Sequence, residues 1–310
     1  MPKHNLPLSA TRVLFRYMNL ASKTEYLQRQ PVRDFIGQLT CWIDGETFGE
    51  HAFKVRDKIL PANYDRDFFA NTLEQAFSRF YWNGHYFKEN QAHLSSMRTR
   101  LRHALANDDA AALVAVIDDI LLWGSGGKVI KLYTLNRDWA RHNQHQLVSK
   151  IRQALAILQS DEPDVTCFDG ELRMNAGFTK VYALAADNIM IYDGRTGAAM
   201  GYLVRQFCES RRILLPEELC FPWAPGASTM NRNPSTELLH FKQLANRSRF
   251  HAEWKIRAGW VVNAALAQST ASWCQQPDAL RKFESAMFML GYEIPTSSPG
   301  KSQARVTVTI

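Results

Sequence analysis

The chain has 310 residues, enough for one large domain or two ordinary ones. Apolar residues are 46% and charged residues 22%, a balance that excludes disordered, fibrous and collagen-like classes. The formal charge of +7 and pI near 9.2 give a surface that attracts anions, such as nucleic acid or an acidic membrane face.

The five cysteines, Cys41, Cys167, Cys208, Cys220 and Cys274, are odd in number and widely spaced, with no CxxC. That argues against a disulfide scaffold and against structural zinc, and points to a reducing cytoplasm. The first residues, Met1 to Val13, hold no long apolar core, so no secretory signal is expected. Ala110 to Trp123 is the most apolar later stretch, but Asp118-Asp119 splits it, which speaks against a membrane span.

In chain order, residues 1–60 are expected to form a mixed β/α element. Asp44-Gly45, between Cys41-Trp42-Ile43 and Glu46-Thr47-Phe48, predicts a β-hairpin. Residues 61–310 are expected to form a helical body, with a seam near 160–170. Phe69, Leu73, Phe77 and Phe80 recur at helical spacing and predict a core-facing helix. Trp82-Asn83-Gly84-His85-Tyr86 ends it in a turn, where an exposed ring can cover a core edge or stack on a base.

Arg98, Arg100, Arg102 and His103 cluster on the next helix, as a solvated face or as a track for phosphates. An apolar helix over 109–123 ends in Trp123-Gly124-Ser125-Gly126-Gly127-Lys128, a glycine stop that lacks the full order of a triphosphate cradle. A long polar helix is expected over 136–159. Its His142 and His145 have no carboxylate or cysteine companions, so they read as surface residues and not as metal ligands. Pro216 to Pro234 is a long loop in which Trp223 and Arg232 can meet a substrate. Residues 236–269 read as a basic-aromatic helix, and 277–290 as a last amphipathic one. Val306 to Ile310 has strand character.

The centre of the chain is Met174 to Cys208. It reads as a tight turn, a short helix opening with Lys180, an extended return through Ile189–Tyr192, and a longer helix opening at Asp193. Asp193 suits a helix N-cap, because its carboxylate can accept from free backbone N–H groups and the helix dipole favours its ionised form. Thirteen positions separate Lys180 from Asp193. Two helical turns followed by an extended return allow the two to meet. Gly194, Gly197, Ala198 and Gly201 leave one face of the second helix without bulk, open to a neighbouring helix or a nucleic-acid strand.

Asn175-Ala176-Gly177-Phe178-Thr179-Lys180-Val181 followed by Tyr192-Asp193-Gly194-Arg195 resembles the helix-hairpin-helix DNA glycosylases, in particular their 8-oxoguanine glycosylase branch. The resemblance covers this central stretch alone. It implies a mainly α fold, a helix-hairpin-helix body with a small N-terminal β element. It implies a hairpin that holds a DNA phosphate, here through Gly177 with Asn175 in place of a second glycine. Lys180 matches the nucleophile and Asp193 the assisting aspartate. The chain departs from the family in its single hairpin glycine, its shorter lysine-to-aspartate spacing and its lack of an iron–sulfur cysteine cluster. Lys180 as a phosphate contact, with Asp193 activating water, therefore stays open.

The resulting expectation is an enzyme that excises a damaged or modified base by base flipping. The alternative is a non-catalytic DNA-binding protein. Catalysis falls to Lys180 and Asp193. DNA contact falls to Asn175, Gly177, Thr179, Arg195, Lys128 and Arg249. The base pocket falls to Trp82, Trp123 and Tyr192. DNA is the expected partner, with no metal, cofactor, membrane or obligate protein partner. Repair and defence against foreign DNA look alike at this level.

Overall fold

The computed structural model describes residues 20–226, 230–244 and 247–296. These residues form a mainly helical body with two small antiparallel sheets. The N-terminal part holds α1 (Lys23–Gln28), α2 (Gln30–Ile43), β1 (His51–Lys54), β2 (Asp67–Ala70), α3 (Leu73–Ser78), β3 (Tyr81–Trp82) and β4 (His85–Tyr86). The middle holds α4 (Phe87–Ala106), α5 (Ala110–Gly124), α6 (Lys131–His142), α7 (Leu147–Gln159), α8 (Phe178–Ala185) and α9 (Gly194–Arg211). The last two are α10 (Ser248–Gln268) and α11 (Ala279–Leu290). No helix among the described residues is long and apolar enough to cross a membrane.

One apolar core joins all of these elements. Tyr26 of α1 meets Trp260 of α10, and Phe35 of α2 meets Phe207 of α9. The division expected after residue 60 falls between β1 and β2, which pair with each other from His51↔Ala70 to Lys54↔Asp67. At the expected seam, the 3-10 turn Val165–Asp169 packs on α10.

Cys41–Phe48 is not a hairpin. Val32, Phe35, Ile36, Leu39, Trp42 and Ile43 are all buried at helical spacing, so α2 continues to Ile43. Asp44 then ends the helix, and its Oδ1 accepts from Ser269 Oγ (2.6 Å) and from Thr270 and Ala271 N–H (both 3.0 Å). Phe69 is likewise not helical. It lies in β2 with its side chain exposed, while Leu73 and Phe80 are in the core.

The Asn83-Gly84 turn does form, joining β3 to β4 with both residues at positive φ (52° and 82°). Two-residue hairpin turns of that handedness match the twist of their strands. The helix expected over 136–159 is two helices, broken at Asn143, and His142 and His145 are exposed. The helix expected from 236 begins at Ser248. Before it the chain is extended, and Trp223 N–H donates to the Lys242 carbonyl (3.2 Å). Val306–Ile310 lies outside the described residues.

The glycine face of α9 packs against neither a helix nor an open groove. A Cβ on Gly197 would lie 2.1 Å from the Pro222 carbonyl oxygen, and one on Gly201 would lie 2.7 Å from Pro234 Cγ. The proline-rich segment after α9 folds back onto that face.

Candidate active site

Two helix N-termini converge here. At the first, the Asn175 side chain caps α8: its Oδ1 accepts from Gly177 N–H (2.9 Å) and Phe178 N–H (3.1 Å). Asn175 is fixed in turn by Asn136, whose Nδ2 donates to Asn175 Oδ1 (3.0 Å) while Asn175 Nδ2 donates to Asn136 Oδ1 (2.8 Å). Gly177 is required by close approach, since a Cβ there would sit 2.3 Å from Asn136 Nδ2. At the second, Asp193 caps α9, its Oδ1 accepting from Arg195 N–H (3.0 Å) and Thr196 N–H (3.3 Å).

Lys180 is the third residue of α8. A cation in the first turn opposes the helix dipole at a cost of about 0.3–1 kcal/mol. Asp193 compensates. Lys180 Nζ donates to Asp193 Oδ2 (2.9 Å) and to the Ala176 carbonyl (2.8 Å). Both side chains are nearly buried, 10% and 14% exposed. Burial alone would raise the Asp193 carboxyl. The Lys180 ammonium, its hydrogen bond and the Thr196 N–H outweigh that and hold it well below the usual carboxylate range. Gly124, at the end of α5, leaves the room Lys180 occupies: a Cβ there would come within 2.6 Å of Lys180 Cδ.

The pair opens into a cavity of about 490 Å³, within the range of small-molecule sites. Phe80, Trp82, Phe87, Trp123 and Phe288 form its aromatic wall, with Asn136, Arg195, Arg232, Arg281 and Glu284 also in the lining. Trp82 and Trp123 are locked together. Trp82 Nε1 donates to the Trp123 carbonyl (3.0 Å), and Trp123 Nε1 donates to Asn90 Oδ1 (3.3 Å). The Arg195 guanidinium stacks on Phe288, 4.0 Å from its centroid.

Beneath the pair, charged and polar side chains grip the return strand. Arg281 Nη2 donates to the Ile189 carbonyl (2.7 Å), Lys255 Nζ to the Met190 carbonyl, and Ile191 N–H to Glu284 Oε1. Tyr192 N–H donates to Thr179 Oγ1 (2.9 Å). The Tyr192 carbonyl accepts a hydrogen bond from His251 Nε2 (2.6 Å), which fixes the tautomer, since a carbonyl only accepts. Burial pushes His251 down to about 4 and holds Lys255 well below the lysine range. Burial also raises Glu284, against the pull of Arg281.

Of the residues expected at the site, Lys180 and Asp193 meet, and Trp82, Trp123, Arg195 and Gly177 line the cavity. Tyr192 is off it. Its ring is fully buried and its hydroxyl donates to the Pro222 carbonyl (2.8 Å). Thr179 is also fully buried, and its Oγ1 accepts from Tyr192 N–H and Lys255 Nζ (both 2.9 Å), so no strand can reach it. Asn175 and Gly177 do not form a positive-φ hairpin that offers N–H groups to a phosphate. Neither has positive φ, and Asn175 Oδ1 already occupies the Gly177 and Phe178 N–H groups. The element before α8 is a 3-10 turn, not an α-helix. Lys128 is exposed on the loop after α5, away from the lining, and Arg249 pairs with Asp169 (3.2 Å).

Sequence reasoning missed Asn136, Phe288 and the Arg281–Glu284 pair. Arg281 and Glu284 share a helix face at i,i+3, and their mates are distant in the chain. A charged pair on an otherwise apolar helix was the available signal.

Compared with protein-family models, with curated proteins and with solved structures, the chain matches none. The geometry is thus the ground for a functional reading. Among the described residues no group of His, Cys, Asp and Glu is arranged to hold a metal ion.

Proposed function

We propose that the protein is a DNA glycosylase that draws an extruded base into the aromatic cavity and cuts its bond to the sugar. The observation that carries this is the 2.9 Å contact between the Lys180 amine and the ionised Asp193 carboxylate, facing a 490 Å³ aromatic cavity. The basic chain and the likeness of 175–181 and 192–195 to helix-hairpin-helix glycosylases add support.

Base loss builds positive charge on the sugar. A fixed carboxylate in a site shielded from water stabilises it. Lys180 supplies a nucleophile once it has given up a proton. Its nitrogen forms a bond to the anomeric carbon as the bond to the base breaks, and the base leaves with the electron pair and takes up a proton. Opening of the sugar ring then leaves a Schiff base, which water hydrolyses. In the water-based variant Lys180 orients DNA, Asp193 takes the proton from water, and no covalent intermediate forms. The aromatic wall stacks on the flipped base.

The test is to incubate the protein with DNAs carrying different base modifications and look for free base by mass spectrometry and for abasic sites. Borohydride then separates the two routes, because it traps only the Schiff base. DNA binding that is salt-sensitive, releases no base and survives Asp193→Asn would favour the non-catalytic alternative.

A further inference from the structure

We propose that Arg195 and Arg232 form a phosphate subsite in the wall of the cavity. The lining holds four cations, Lys180, Arg195, Arg232 and Arg281, and two carboxylates, Asp193 and Glu284. Lys180 is satisfied by Asp193, and Arg281 by Glu284 at 2.6 Å. Two guanidiniums are left over.

Neither has an adequate partner within the described residues. Arg195 Nη2 is 3.8 Å from Asp57 Oδ2, an oxygen that already accepts from the Tyr81 hydroxyl at 2.6 Å. Arg195 Nη1 is buried with no hydrogen-bond acceptor. Its plane is fixed on Phe288 and on Tyr292, whose centroid is 4.9 Å away. Arg232, which also lines the cavity, makes one long hydrogen bond among the described residues, from Nε to the Tyr292 carbonyl at 3.5 Å. Burial, then the Arg195 charge, pulls Arg232 down to about 10, so the two cations feel each other.

Asp57 and Asp193 offset these two charges only at a distance, and an anion in hydrogen-bond contact would offset the remaining cost. A guanidinium fork matches two oxygens of a phosphate, which it binds with paired charge-assisted hydrogen bonds. The subsite rests on the reading of the cavity as a nucleoside site: the phosphate beside the nucleoside would dock here. That phosphate is either a phosphodiester of a strand or the monoester of a free nucleotide.

The experiment is calorimetric titration of the full chain at low salt with four probes: thymidine, deoxythymidine 5′-monophosphate, a thymidine trinucleotide without terminal phosphates, and inorganic phosphate. Phosphate-bearing nucleosides should bind on the order of tenfold to a hundredfold more tightly than thymidine, the range for hydrogen bonds to charged groups. Arg232→Gln should remove that advantage. Arg232→Lys should restore part of it, because it keeps the charge without the fork. A trinucleotide tighter than the monophosphate identifies a strand as the ligand, and the reverse order a free nucleotide.

Equal binding of phosphate-bearing probes and thymidine, binding of no phosphate-bearing probe, or a phosphate advantage unchanged in Arg232→Gln overturns the subsite. Melting curves establish that each variant is folded. Should Arg232→Gln not fold, Arg232→Lys and Arg195→Lys carry the same comparison. Base release without Arg232-dependent phosphate binding sinks the subsite and leaves the glycosylase reading standing. Arg232-dependent phosphate binding without base release does the opposite.

Discussion

Lys180 and Lys255 are both buried lysines close to Thr179, yet they are used differently. Lys255 gives all its hydrogen-bonding capacity to the protein, to Thr179 Oγ1, the Thr179 carbonyl and the Met190 carbonyl. Lys180 gives two bonds, to Ala176 and Asp193, and an ammonium has three donors. The remaining position of Lys180 faces the cavity. Burial alone therefore does not mark a reactive amine. What the proposed chemistry requires is a donor left unused beside a cavity. The cluster around Lys255 fixes the backbone, and the cluster around Lys180 borders the cavity.

The comparison breaks most visibly at Glu284. Glu284→Leu strands the Ile191 N–H and leaves the buried Arg281 guanidinium without its paired carboxylate. Losing one member of a buried pair costs about 3–5 kcal/mol, so denaturant titration should show most of the stability gone. Gly197→Ala should come next. Its Cβ would overlap the Pro222 carbonyl oxygen, and overpacking costs about 1–3 kcal/mol or more against backbone.

Acid should act through the other members of the deep cluster. His251, and His51 in the N-terminal sheet, are pushed by burial from 6.5 to about 4 in the folded chain. Between those values the unfolded chain binds protons that the folded chain refuses, so stability rises with pH there and is lost as pH falls through the window. Melting temperatures across pH 4–7 should show the loss, and His251→Gln should flatten it. Asp193 has the opposite origin and the same direction: its carboxyl is depressed, so its stabilisation holds above the usual carboxylate range and goes only in stronger acid.

Lys180→Gln should cost about 2 kcal/mol, the scale of a hydrogen bond to a charged group, because Asp193 keeps its cap on α9. The smallest effect is expected on the basic face of α4. Arg98 and Arg102 pair with Asp187, and Arg100 with Asp119, near solvent. Arg100→Ala should change stability by under about 1 kcal/mol, as exposed pairs do.

What was legible in the sequence was whatever a local rule decides. Asp193 reads as an N-cap and is one. Asn83-Gly84 reads as a turn and is one, and the structure adds that it joins two paired strands. The apolar runs of α5 and α11 are where their periodicity puts them. The failures are places where tertiary packing outvotes a local signal. Asp44-Gly45 follows a helix whose buried face extends to Ile43, so a turn signal became a helix stop. Tyr192, next to Asp193, looked like a pocket residue. An extended strand points neighbouring side chains to opposite sides, and Tyr192 faces the core. Residues 242–244, expected to be helical, instead run beside Trp223, through Trp223 N–H to the Lys242 carbonyl and Leu244 N–H to the Trp223 carbonyl. Arg232 and Arg195 were visible as cations, but that both line the cavity, and that Asp57 meets Arg195 only at 3.8 Å, needs three dimensions to see.

The account stands on Lys180 and Asp193 acting together on one sugar carbon. The most direct measurement is base release, by mass spectrometry, from a panel of base-modified duplexes with wild type, Lys180→Gln and Asp193→Asn, each shown by melting to be folded. The account predicts that wild type frees a base from at least one duplex and that both variants lose at least about a hundredfold in rate, the scale of removing one positioned catalytic group. Base release that persists unchanged in both folded variants, or release from no duplex in the panel, would contradict it.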